Sequence, residues 1–259
     1  MLVVAWSAAG IKSWRFATGI EFGPAGIAAN LSLVLRELGS DEVVAGMAVP
    51  GLVDLDSTVI ACDVLPKLAG WNPVSDGVGV VPGVVLNDGD AALVAVADGM
   101  AADATVAAVG SGTAIAGALQ VRGVRLRRFR PFAGELGYVP FGKDGKLDDH
   151  AAGYALLKKL GMQPEEITAG LERGDCTVME AVRLAGEAFG VALTTLVNLV
   201  HPEKIGLYGG TLGYPGYLEA AMATVERLAV PEMLASCRIE VVEDPHLVVA
   251  RGVMLEASR

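Results

Sequence analysis

Val85-Leu86-Asn87-Asp88-Gly89-Asp90-Ala91-Ala92 sets an apolar run against two polar residues and then a series of small ones. The run, Val84–Leu86, reads as a short buried strand, and Ala91–Gly99 reads as a helix. Asn87 and Asp88 therefore stand side by side at the C-terminal end of a strand. In α/β proteins ligands meet the chain there, because strand ends are rigid and the crevice beyond them is open. A carboxylate fixed at that point can take a proton from a hydroxyl, while the neighbouring amide orients the hydroxyl. Asn-Asp-Gly is also the composition of a plain turn, and this stretch taken alone leaves both readings open.

Outward from this junction, β-branched runs alternate with Ala- and Leu-rich stretches. Leu2–Ala5, Val43–Val49, Thr105–Val109, Ala114–Val121, Ile205–Tyr208 and Ile239–Val242 read as strands, and Lys12–Phe22 as one strand or a tight hairpin. Pro24–Leu38 reads as a helix with Pro near its start and Gly39 just past its end. Ala151–Leu160, Pro164–Arg173, Val178–Val200 and Gly216–Leu228 complete the helical stretches. This order predicts α/β layers with a mixed sheet in each half. A boundary near residue 100 is expected, giving one lobe over 1–100 and another over 101–245, with a helix at about 246–259 returning to the first. Two such lobes would leave a cleft between them.

Of the 259 residues, 53% are hydrophobic and 19% charged, which excludes a disordered chain and supplies a sizeable core. A net charge of −10 argues against a binder of nucleic-acid backbones. The basic cluster Arg122, Arg125, Arg127, Arg128 and Arg130 reads as the exposed face of a strand or hairpin, with a nucleotide-phosphate contact as the alternative. Cys62, Cys176 and Cys237 are scattered and odd in number, so they are expected as small core residues in a reducing cytoplasm. The opening Met1–Ser7 lacks the charged region of a secretory leader, and no apolar run approaches the ~18 residues of a membrane span. His150, His201 and His246 show no paired spacing and are assigned no metal or catalytic role.

Two glycine turns add to the picture. Val109-Gly110-Ser111-Gly112-Thr113-Ala114 lies between two strands, where backbone N–H groups can approach an anion and Ser111 and Thr113 add hydroxyls. It lacks the Gly-Lys-Ser/Thr of a Walker loop and no helix follows it, so a tight hairpin is the alternative. Gly209-Gly210-Thr211 follows Ile205–Tyr208 and is either a strand-to-helix turn or a place where a flat purine passes the backbone.

In order along the chain, these pieces resemble the ROK family of bacterial sugar kinases and repressors. Gly46-Met47-Ala48-Val49-Pro50-Gly51-Leu52-Val53-Asp54 is similar to the family's "GxxxPGxVD" stretch, and Leu65–Trp71 to its "PNLxGW" segment. Asn87-Asp88 matches the sugar-binding Asn and catalytic Asp, and Gly110–Thr113 the second phosphate motif. Gly134-Glu135-Leu136-Gly137-Tyr138 matches "GExGH" with Tyr138 in place of the His, and Leu199–Ile205 with Gly209-Gly210 resembles the "NLxxPxxIxxGG" adenosine segment. The resemblance implies a two-lobed α/β fold of the actin/hexokinase (ribonuclease H-like) type, with a mixed sheet in each lobe.

The departures are as informative. The family's opening Asp-x-Gly-Gly-Thr-Lys turn, which holds magnesium and phosphates, reads here Ser7-Ala8-Ala9-Gly10-Ile11-Lys12. The loss of a carboxylate removes a strong oxygen ligand for Mg²⁺. Many members carry a zinc site built from that His and a Cys-x-Cys-Gly-x-x-Gly-Cys run. Tyr138, the shortened Lys143–His150 segment and the lack of Cys between Cys62 and Cys176 lead us to expect no zinc. The repressors' N-terminal helix-turn-helix has no counterpart, since the first strand begins at residue 2, so DNA is not an expected partner.

The resemblance thus implies an ATP-dependent phosphotransferase acting on a hydroxyl of a sugar, modified sugar or cyclitol, with Asp88 as general base. Asn87, Glu135, Tyr138, Asp148 and Gly51 would bind the acceptor. Gly10, Lys12, Gly110, Ser111, Gly112, Thr113, Gly209 and Gly210 would bind nucleotide, with magnesium arriving alongside it. Tyr138 and Asp148 point away from plain glucose. Trp71 is expected as a packing anchor and Lys12 equally as a solvated strand residue. A homodimer, without membrane contact, is implied. Two alternatives stay open: a ROK-like ligand-binding or assembly protein without chemistry, and a kinase using an unusual phosphoryl donor.

Overall fold

The computed structural model describes residues 1–7, 10–39, 45–77, 81–128, 133–143 and 145–259. Ala8, Ala9, Val43, Val44 and Arg130, named above, lie outside the described residues. The chain forms two compact units. One comprises Met1–Asp98, Arg127–Phe132 and Leu247–Arg259; the other comprises Gly99–Leu126 and Ala133–His246.

The first unit opens with β1 (Leu2–Ser7) and β2 (Gly10–Arg15), an antiparallel hairpin in register from Leu2↔Arg15 to Ser7↔Gly10. The strand expected over Lys12–Phe22 is therefore only the second arm and stops at Arg15. α1 (Pro24–Leu38) follows, and Gly39 ends it in the left-handed region at φ 63°, its N–H bonded to the Leu35 carbonyl. β3 (Gly46–Val49), the short hairpin β4 (Leu52–Val53) and β5 (Val59–Ala61), β6 (Val84–Asn87) and α2 (Asp88–Ala97) complete this part. β3 runs parallel to β6, with Val49 opposite Asn87. Among the described residues this unit holds its strands as three pairs and not as one continuous ladder. Val49, Val59, Leu68 and Trp71 form its core, so Trp71 is a packing residue.

The second unit contains β7 (Val106–Ser111), β8 (Ile115–Val121), β9 (Val124–Arg125), β10 (Pro140–Phe141), β11 (Gly145–Lys146), α3 (Asp148–Ala151), α4 (Gly153–Leu160) and α5 (Pro164–Glu172). It continues through α6 (Cys176–Val200), β12 (Lys204–Tyr208), α7 (Tyr217–Leu228), α8 (Pro231–Ala235) and β13 (Arg238–Val241). Its sheet is mixed, in the order β13-β12-β7-β8-β9, parallel across β13-β12-β7 and antiparallel from β7 to β9. Asp175 caps α6 by accepting the Thr177 and Val178 N–H groups. By length and composition α6 could cross a membrane. Its buried face, from Val178 through Phe189 to Val197, instead belongs to the main core of this unit. Gly186 and Gly190 let α7 approach it, since a Cβ there would lie 2.2 Å and 2.4 Å from the Tyr217 and Ala221 carbonyl oxygens.

The last helix, α9 (Val248–Ala257), belongs to the first unit and packs against α2 and β3. The approach is close. A Cβ on Gly252 would fall 1.6 Å from the Ala91 carbonyl oxygen, and Gly46 makes room for Val253 in the same way.

Candidate functional site

In the first unit, β6 delivers Asn87 to the N-cap of α2 and Asp88 to its first helical position. Asn87 is buried, and its Oδ1 accepts the N–H groups of Gly89 at 2.8 Å and Asp90 at 3.4 Å. Its Nδ2 donates to the Gly51 carbonyl at 2.7 Å. That carbonyl belongs to a turn that needs glycine: Gly51 has φ 89°, and a Cβ would lie 2.3 Å from the Ala61 oxygen. The Asn87 amide thus fixes the junction, and among the described contacts one of its N–H bonds remains for a ligand. Asp88 is half-buried, its Oδ1 accepting the Gly89 N–H at 2.9 Å, at the electropositive end of the helix. Cys62 packs beneath Gly51; burial pushes its thiol up, and the nearby Asp63 and Asp88 carboxylates add to this.

The first hairpin gives less. Ser7 donates its hydroxyl to the Gly10 carbonyl at 3.3 Å. Lys12, expected near phosphate or solvent, lies 3.9 Å from Glu37 on α1, which also accepts the Trp14 indole N–H. Arg127 corrects the reading of the basic cluster as an exposed face. It is 8% exposed, with Nε 3.5 Å from the buried Asp90 carboxylate.

In the second unit, β7 and β8 form the hairpin that carries Gly110–Thr113, with Gly110 and Ser111 still paired to Ala116 and Ile115. The four residues separate into two kinds. Ser111 corrects an expectation: its hydroxyl, anticipated on the phosphate side, is fully buried and bonded to Tyr217 Oη at 2.9 Å. Gly110 is filled over by the Tyr208 ring, where a Cβ would meet ring carbon at 2.7 Å. Gly112 and Thr113 are the open ones. A Cβ on Gly112 would meet nothing within 4 Å, and Thr113 is exposed. Gly209 and Gly210 divide similarly. Gly209, at φ 106°, backs onto Ser111, whose oxygen a Cβ would approach to 2.2 Å, while Gly210 faces open space.

The back of the turn is tied down at several points. The Gly112 carbonyl accepts the Gly153 N–H at 2.7 Å and the Thr211 hydroxyl at 3.2 Å. Tyr217 Oη donates to the Ala151 carbonyl at 2.7 Å, so the Ser111 hydroxyl donates to Tyr217. Burial pushes the Tyr217 phenol well above its ordinary range. Tyr217 and Thr211 thus hold the back of the turn through partners that lie far away in the chain, and no motif marks Tyr217.

Glu135 is exposed and precedes a 3₁₀ turn over Leu136–Tyr138. With Gly134, Leu136, Val139, β8 and Leu196 of α6 it lines a cavity of about 270 Å³. Tyr138 is 58% exposed, and Lys146 Nζ sits 3.6 Å from its ring centroid. Asp148, expected to bind acceptor, is tied inward instead. Its Oδ1 accepts the Ile115 N–H at 2.7 Å and its Oδ2 lies 3.6 Å from Lys146 Nζ. Burial tends to lower the Lys146 ammonium pKa, but Tyr138, Asp148 and Asp149 outweigh it and the net shift is upward.

Among the described residues, no three His, Cys, Asp or Glu side chains gather with metal-ligand spacing. The sequence Ser7–Gly10 offers no carboxylate, so it lacks the hard oxygen ligand that a protein-held Mg²⁺ favours.

No family model matches the chain. An uncharacterized protein of Clostridium perfringens is 31% identical over 110 residues, which is 39% of this chain and 37% of that protein. The matched stretch thus spans well under two thirds of that relative. Solved structures match almost end to end. The ROK hexokinase from Thermus thermophilus has a TM-score of 0.71 at 24% identity, over 95% of this chain and 91% of that one. The ROK family glucokinase from Streptomyces griseus, in complex with glucose and AMPPNP, has a TM-score of 0.77 at 20% identity, over 94% and 90%. A ROK family transcriptional regulator, a homolog of E. coli MLC, has a TM-score of 0.71 at 18% identity, over 95% and 72%. This is the actin/hexokinase-like fold of sugar kinases. Within it, the structures this chain is similar to are ROK-family kinases and a ROK-family regulator.

Proposed function

We propose that the chain is a ROK-type carbohydrate kinase, transferring the γ-phosphoryl group of ATP to a hydroxyl of a sugar, modified sugar or cyclitol. The observation that carries this reading is Asp88 at the first position of α2, on a junction locked by the Asn87 cap and the Gly51 carbonyl. In the reaction the acceptor oxygen bonds to the γ-phosphorus while the bond from that phosphorus to the β–γ bridging oxygen breaks. ADP leaves, and Asp88 takes the hydroxyl proton.

The remaining N–H of Asn87 and the Glu135 carboxylate are the groups for further acceptor hydroxyls. Such polar partners reject analogues that lack the hydroxyl, because they would be left unpaired. Gly112, Thr113 and Gly210 are the open positions for nucleotide; Ser111, Gly110 and Gly209 support them from behind. Magnesium enters as part of the metal nucleotide, and no protein ligand is assigned to it. Tyr138 and the inward-tied Asp148 support an acceptor other than plain glucose.

The altered first hairpin favours a second reading, a ROK-like binding protein without transfer, since Ser7 stands where a carboxylate would serve. Phosphate transfer from ATP and Mg²⁺ across sugars, amino sugars and cyclitols decides between them. A phosphorylated product whose rate falls about 10²–10⁴-fold in Asp88→Asn is expected. Binding of ATP or a polyol by calorimetry without any product from the native chain would favour the second reading.

A further inference from the structure

Lys146 was not singled out by any sequence motif, yet it stands between two of the candidate acceptor residues. Its Nζ lies 3.6 Å from the Tyr138 ring centroid and 3.6 Å from Asp148 Oδ2. The backbone that carries it is fixed independently. Lys146 pairs with Pro140 in the β10–β11 hairpin, its N–H donates to Asp149 Oδ2 at 3.1 Å, and the Leu147 N–H donates to the Val139 carbonyl at 2.9 Å. The side chain therefore starts from a fixed point.

Asp148 is confined as well. Its Oδ1 holds the Ile115 N–H at 2.7 Å, and Ile115 is the first residue of β8 after the glycine turn. The carboxylate lies flat on Gly137, where a Cβ would come within 2.3 Å of Oδ1, so it cannot shift in that direction. The Lys146 and Asp148 side chains are 34% and 15% exposed, so the carboxylate is largely sheltered while the ammonium keeps partial contact with water. Three contacts thus run in series: the Tyr138 ring to Lys146, Lys146 to Asp148, and Asp148 to the exit of the turn.

We infer that Lys146 is a positioning residue. It holds Tyr138 and Asp148 as one unit and, through Asp148 and the Ile115 N–H, ties the Gly134–Tyr138 segment to the Gly110–Thr113 turn. Its effect on transfer rests on the kinase reading; the tie itself does not. A lysine at this point couples the acceptor-side segment to the phosphate-side turn inside one unit, so a disturbance at Tyr138 reaches the turn without touching a ligand.

Lys146→Met and Lys146→Arg test this. Arginine can both stack on the Tyr138 ring and pair with the carboxylate, so it is the conservative rescue. In Lys146→Met the Ile115 amide, followed by NMR, is expected to exchange about tenfold faster than in the native chain, and Lys146→Arg to restore protection. The acceptor KM is expected to rise about three- to tenfold in Lys146→Met, the size of a partly buried cation contact, with kcat within about twofold. An unchanged Ile115 exchange rate in Lys146→Met overturns the tie. Faster exchange with an unchanged acceptor KM overturns the positioning role. Should the native chain phosphorylate no acceptor, the kinase reading fails on its own, and Ile115 exchange still decides the tie.

Discussion

The Tyr217 hydroxyl joins three distant segments, accepting a hydrogen bond from the Ser111 hydroxyl and donating one to the Ala151 carbonyl. Tyr217→Phe keeps the ring against Phe189, 5.6 Å away between centroids, but leaves both partners buried and unpaired. The expected cost is about 1–3 kcal/mol, read as a lower urea midpoint at unchanged slope. Cys237 gives a pH signature. Burial pushes its thiol up from 9.0 to about 11, so the unfolded thiol ionises first. Its contribution to stability is complete below about pH 9 and is lost as pH rises through about 11. Urea midpoints at pH 8 and pH 10.5 should therefore fall, and Cys237→Ala should remove that part of the fall. The position of Asn87 and Asp88 at the end of a strand was legible in the sequence, because an apolar run followed by polar and small residues decides it locally. Ser111 was misplaced although a signal existed: continuing the strand alternation from Ala107 and Val109 turns its side chain into the core. Tyr217 offered no such signal, since its partners lie 66 and 106 residues away, and Lys146 none because no motif marks it although its partners are near in the chain.

Elements with strong punctuation were legible. α1 has its Pro and Gly39, and β12 its apolar run; α6 was legible over Val178–Val200, while its Asp175 cap, which starts it at Cys176, went unread. The pairs β4–β5 and β10–β11 were not, because strands of two or three residues carry no period to read. The stretch read as one helix over Ala151–Leu160 breaks at Ala152, whose ψ is 154°. There the Gly153 N–H turns to the Gly112 carbonyl, and a Cβ on Gly153 would come within 2.8 Å of that oxygen. A long-range contact overrides local helix propensity at that position. The α2–α9 crossing carries a direct prediction. Gly252→Ala places a methyl 1.6 Å from the Ala91 oxygen, so the helices must part. A loss of about 1–3 kcal/mol or more is expected in the urea midpoint, with faster amide exchange along α2.

At the scale of the whole molecule, composition and the order of strands and helices were enough to indicate α/β layers, the resemblance of the motifs implied the actin/hexokinase type, and the solved structures share that fold. Composition could not indicate how each unit gathers its pieces. The first unit draws on Met1–Asp98 and then on Leu247–Arg259, with most of the second unit made in between. During synthesis on the ribosome, Ala91 and Gly46 emerge long before the helix that covers them. At about 5–20 residues per second the uncovered interval lasts on the order of ten seconds or more. Throughout it the nascent N-terminal portion shows the bare flank of α2 and the bare edge of β3 to the cell. The amino-terminal portion therefore waits for residues 247–259 to be made before its last helical cover can close.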